Sequence, residues 1–136
     1  MPFSTTIDND ILDHFTGKAT WTAPTAIYAG LSSTTPTKAG GNVTEPSAGA
    51  YARIQITAAQ FDTAASSATT TNADKSFPQA TADWLSGNDL TDLVLYDAVS
   101  AGNFLAFKAF TTAKPVNNGD TAKILTGDLD ISIGGT

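Results

Sequence analysis

Few residues in this sequence are suited to chemistry. Its 136 positions hold one histidine, His14, no cysteine, and thirteen acidic residues of which Glu45 is the single glutamate. A nucleophilic triad needs a base beside a serine, threonine or cysteine. His14 is the only imidazole, and its neighbour Asp13 cannot share its helix face, because adjacent helical residues point about 100° apart. The pair reads as a surface or interface histidine near a helix end. Glycosidase-type catalysis needs two carboxylates in different environments, and among so many aspartates some pair lies close by accident. For metals the pairs are Asp8-x-Asp10 and Asp128-x-Asp130. The second would turn both carboxylates to one strand face and could contribute to a Ca2+ site, which wants roughly six to eight oxygens. Two carboxylates alone do not make one, and a solvated polar strand face is the simpler reading. No phosphate-binding loop, dinucleotide fingerprint, zinc spacing or HExxH occurs. No catalytic, cofactor-binding or metal residue is assigned, and enzymatic activity is not expected.

Composition narrows the classes further. Without cysteine there are no disulfides or thiolate sites. The net charge of −6 and pI near 4.3 make a surface that repels phosphate, and the seven basic residues form no cluster in the sequence, so no nucleic-acid partner is expected. Only 15% of residues are charged, against about a quarter in average soluble domains. Thr, Ser, Ala and Gly take their place, which favours β structure and suits a surface that neighbours will cover, since burying unpaired charge is costly. No basic stretch followed by an apolar one opens the chain, and no run of about eighteen apolar residues occurs. A soluble chain without signal peptide or membrane contact is expected, and the Asn42-Val43-Thr44 glycosylation triplet then carries no weight. The length suits one domain over 1–136.

Any surface must be positioned by regular elements. Ser4 to Thr16 reads as the one helix, a unit of 4–17 with its stop: Ser4 or Thr5 can cap it, Asp8 and Asp10 suit its N-terminal dipole, and Gly17 ends it. Ile7, Ile11, Leu12 and Phe15 form its apolar stripe. Ala26 to Leu31 reads as a strand. Residues 32–49, with Pro36, Gly40, Gly41, Pro46 and Gly49, form a long loop and a first candidate contact surface. Ala50 to Thr57 alternates, setting Ala52, Ile54 and Ile56 against Tyr51, Arg53 and Gln55, the pattern of a half-buried strand. Residues 64–74 read as a second long loop. Strands follow over about 92–99 and 104–111 as a hairpin about Ala101-Gly102-Asn103, then at 122–125 and 128–133. The predicted class is all-β, a sandwich or jelly-roll-like barrel with one short N-terminal helix.

Ten aromatic residues in the body of the chain are mostly core filling, with Trp21 and Trp84 as loop-borne candidates for exposed stacking or interface anchors. The interface candidates are Ile7, Ile11, Phe15, Trp21, Glu45, Tyr51, Arg53 and Trp84.

Three pieces are distinctive: Tyr28-Ala29-Gly30-Leu31-Ser32; Glu45-Pro46 with Gly49-Ala50-Tyr51-Ala52-Arg53; and Asn118-Gly119-Asp120. Through them the sequence resembles a family of small tailed-phage and prophage structural proteins often labelled tail fibre proteins, over Leu12 to Ile133. The resemblance implies a virion protein, assembled in the bacterial host cytoplasm, with β-rich subunits that pack on a capsid or tail and no catalytic residues. Its shortness and lack of repeats favour a capsid decoration or cement protein, with a tail- or fibre-associated adaptor or receptor-binding module as the alternative. Expected partners are the major capsid protein or other virion proteins and further copies of the chain, a trimer among the arrangements.

Overall fold

The computed structural model describes residues 1–86 and 88–133. Helix α1 spans Thr5–Phe15, and Ser4 is its cap, its Oγ accepting from the Ile7 amide at 3.3 Å. Gly17 closes the helix at φ +75°, a conformation that glycine adopts without the Cβ penalty. The residues before the helix also have a role. Ser4 donates its amide to the Leu105 carbonyl and Phe107 donates to that of Pro2, so Pro2 to Ser4 run beside the first part of strand β6.

Among the described residues eight strands follow: β1 (Ile27–Ser32), β2 (Ile54–Ile56), β3 (Ala68–Thr70), β4 (Lys75–Ser76), β5 (Leu90–Tyr96), β6 (Phe104–Lys114), β7 (Lys123–Ile124) and β8 (Asp130–Ser132). The main sheet has the order β2-β1-β5-β6, and β3-β8 and β4-β7 form separate two-stranded sheets. All pairings are antiparallel. The predicted all-β class with one short helix is what the chain adopts, and among the described residues the strands do not close into a barrel.

The register places Ala29, Leu31, Ile54, Ile56, Leu93 and Leu95 on one face of the main sheet. There they join Phe77, Trp84, Ile124 and Leu129 in one apolar cluster. The opposite face carries Tyr28, Gly30, Ser32, Asp92, Val94 and Tyr96, and most of it is buried too. Strand β5 is thus covered on both sides, which is why it reads as a run of apolar residues rather than an alternation.

Several expectations need correction. The strand foreseen over 50–57 is only Ile54–Ile56, because Tyr51 and Arg53 turn to bonds with β1 and Glu45 instead of a ladder. The loop foreseen over 64–74 contains β3, whose partner β8 lies at the far end of the chain. The hairpin turn is present, held by the Asp97 carboxylate accepting from the Asn103 amide and side chain at 2.6 and 2.7 Å. Strand β6 runs on to Lys114, past the expected end at 111. The loop at 32–49 is fastened to its own sheet. The buried Ser32 hydroxyl accepts from the Thr34 and Thr44 amides and donates to the Thr34 carbonyl at 2.7 Å.

Candidate interaction surfaces

Three of the expected interface residues form an internal clasp. Strand β2 leaves β1 after Ala29, so the Leu31 amide has no strand partner on that side. The Tyr51 hydroxyl accepts from it at 2.8 Å and donates to Glu45 Oε1 at 2.6 Å. Arg53 grips the same carboxylate through Nε at 3.0 and 3.1 Å, and its Nη1 donates to the carbonyls of Ala98 and Ala101. Its guanidinium lies 3.4 Å from the Tyr96 ring centre, a stacked cation-π contact. Gly30 is what admits this cluster: a Cβ there would stand 2.9 Å from the Tyr51 hydroxyl and nearer still to Glu45 Oε1.

The clasp has a clear electrostatic character. Burial, then the hydrogen bond and charge of Glu45, push the Tyr51 phenol far above its ordinary pKa. Burial and the Glu45 charge raise Tyr96 as well. Desolvation acts to lower the pKa of Arg53, but Glu45 more than offsets it and the pKa ends raised. The group is a fixed ion pair with its tyrosine neutral, suited to holding the 45–53 segment in place.

Trp84 is a core residue at 2% exposure, which overturns its reading as an exposed anchor. It packs edge-on to Tyr51 and Phe77 and donates its indole N–H to the Gly49 carbonyl at 2.8 Å. The signal missed was that a tryptophan between weak strands fills the space those strands leave. Trp21 is half-buried, with its amide donating to His14 Nδ1 at 3.3 Å. Of the aspartate pairs, Asp8 is joined to Lys38 and Asp128 is exposed. No group of three or more His, Asp or Glu able to hold a metal occurs among the described residues.

Two open surfaces stand out among the described residues. On α1, Ile7 is buried and Ile11 half-buried against the chain's own core, but Leu12 and Phe15 are 59% and 87% exposed. The apolar stripe is therefore wider than the surface the chain offers it. The second is a groove of about 710 Å³ beneath the far end of β6. Its floor includes Leu31, Phe77, Leu90 and Leu93, and its rim carries Lys108, Lys114 and Lys123. The pairing passes from Asp92↔Ala109 directly to Leu90↔Lys114, so Phe110 to Ala113 stand opposite Thr91 alone, an arch of which Phe110, Thr111 and Thr112 line the groove. Three of the seven basic residues thus meet at one place. They look dispersed in the sequence because β6 and β7 bring them together only in space.

The described residues thus define an antiparallel β scaffold with an internal ion-pair clasp, an exposed apolar helix stripe and a basic-rimmed groove. The particular family is given by comparison. A family model described as Podophage GP4 fiber I protein gp80 matches residues 2–132, and the chain belongs to that family of phage fibre-type proteins. It is a structural component of a bacteriophage virion. No curated protein matches it.

Proposed function

We propose that the chain is a non-catalytic part of a tail-fibre assembly, acting as an adaptor or receptor-binding module through its exposed surfaces. The observation that carries this reading is the family match over 2–132, whose description is that of a fibre protein. The geometry is in keeping with it: the clasp and the aromatic cluster stiffen a compact scaffold, while α1 and the groove face outward. Electron microscopy of particles labelled with an antibody to this chain tests it. Label on tail appendages is the expected result, and label spaced regularly over the head would sink it.

That second outcome is the alternative reading, a capsid decoration or cement protein. It is favoured by one observation: the sequence shows no internal repeat of the kind a fibre shaft carries.

A further inference from the structure

The two open surfaces are complementary to each other. The helix stripe is apolar, and with Asp8 paired to Lys38 the segment from Ser4 to Lys18 is left with Asp10 and Asp13 against Lys18, two minus one, or −1. The groove is apolar at its floor, and its rim holds Lys108, Lys114 and Lys123 against Asp120 and Asp128, three minus two, or +1, in a chain whose net charge is −6. Their sizes agree as well. One helical turn with its side chains, about 10 Å across and 5.4 Å high, fills on the order of 400 Å³, which a groove of about 710 Å³ accommodates.

The surfaces also lie apart. The segment leading into α1 is bonded at Leu105 and Phe107, near the start of β6, and neither Leu12 nor Phe15 lines the groove of its own chain. The groove lies under the last seven residues of β6, 108–114. One copy's helix can therefore reach a neighbour's groove while its own groove stays open.

We infer that the chain self-associates head to tail, with Leu12 and Phe15 of one copy seated in the Lys108, Lys114 and Lys123 groove of the next. Such a contact is heterologous, and copies joined by it close into a ring or extend as a filament. One occupant thereby covers the largest exposed apolar residue of the helix and fills the groove. The inference goes beyond the fibre reading and holds wherever on the particle the copies sit, so labelled particles and the solution experiment fail independently.

The test is light scattering and sedimentation of the full chain over a concentration series. The expected result is a concentration-dependent oligomer that weakens in high salt. Phe15→Ser, with Leu12→Asn as a second helix variant, is expected to weaken association at least ten-fold, and so is Lys114→Glu combined with Lys123→Glu. All these positions are exposed, and circular dichroism checks that each variant folds. The decisive step mixes the two kinds. Phe15→Ser retains a groove and the lysine variant retains a helix, so the mixture is expected to form a pair that stops at two copies. A wild-type monomer at every concentration would overturn the inference. So would association indifferent to both variants, or folded variants whose mixture does not pair, the result expected if a different virion protein or a small anion fills the groove.

Discussion

The indole N–H of Trp84 and the carbonyl of Gly49 meet at 2.8 Å across thirty-five positions of sequence. The contact ties the Gly49 end of the long loop to the apolar core. Gly49 stands at φ +66°, and a Cβ there would lie 2.7 Å from the Ala82 carbonyl oxygen and 2.8 Å from Trp84 Cδ1. Gly49→Ala is therefore expected to cost about 2 kcal/mol or more, from backbone strain and collision together. Trp84→Ala is expected to cost about 3–5 kcal/mol. Urea unfolding followed by circular dichroism measures both, and losses under about 0.5 kcal/mol would place the two residues at the surface.

The Glu45-Arg53 pair retains little contact with water, its side chains being 19% and 10% exposed. Removing one partner strands the other. Glu45→Gln is expected to destabilise by about 3 kcal/mol, the lower end for buried pairs because some solvent remains. Arg53→Lys keeps the charge but loses the fork and the stacking on Tyr96, so it is expected to recover only part of that loss. Denaturant midpoints of the two variants decide it, and equal stability of Arg53→Lys and wild type would contradict the geometry.

Tyr51 responds to alkali. Its pKa in the folded chain is raised, so its neutral phenol contributes in full below the unfolded value of about 10, and that contribution is lost as pH climbs above it. Stability is expected to fall from about pH 10 upward, with a shallower fall for Tyr51→Phe. Parallel curves for the two proteins would show that the phenol titrates freely.

Asp74 responds to acid in the opposite sense. Its carboxylate accepts from the Thr126 amide at 2.8 Å and hydroxyl at 2.9 Å, and those bonds, the amide's first, hold its pKa below the usual carboxylate value. The stabilisation is present above the unfolded value of about 3.9 and is lost as pH falls through the depressed one. The stability gap between wild type and Asp74→Asn is expected to narrow below about pH 4. A gap independent of pH would mean that the carboxylate makes no such bonds in solution.

Along α1 the two ends of the apolar stripe should behave differently in dilute monomer. Ile7→Ala, at a position 6% exposed, is expected to cost about 2–4 kcal/mol. Phe15→Ala, at a position 87% exposed, should cost less than about 0.5 kcal/mol. Thermal melts at low concentration separate them, and a large loss for Phe15→Ala would mean that the ring packs within its own chain.

What could be read from the sequence was what local signals determine. The Ser4 cap, the stop at Gly17, the strand around Ala29 and the hairpin about Gly102 each rest on a few adjacent residues whose preferences agree. Strands β3 and β4 are three and two residues long and built from Ala, Thr, Lys and Ser, too short to show a period, and only their distant partners make them strands. Tyr51 and Arg53 fitted an alternating pattern, yet the bonds to Leu31 and Glu45 prevailed over it. The groove was not legible because its lysines come from two strands and its wall is an arch that no turn residue announces.

The order of strand pairing bears on how the molecule is made. Strand β1 pairs with β2 and β5, β3 waits for β8, and β4 for β7. During synthesis the first half of the chain emerges with most of its ladders unformed, and two of the three sheets are completed only by residues after Thr121. Folding should then be slow, in the range of milliseconds to seconds typical of such long-range pairing, and a nascent chain stalled before β7 would present unpaired strand edges to its neighbours on the same polysome.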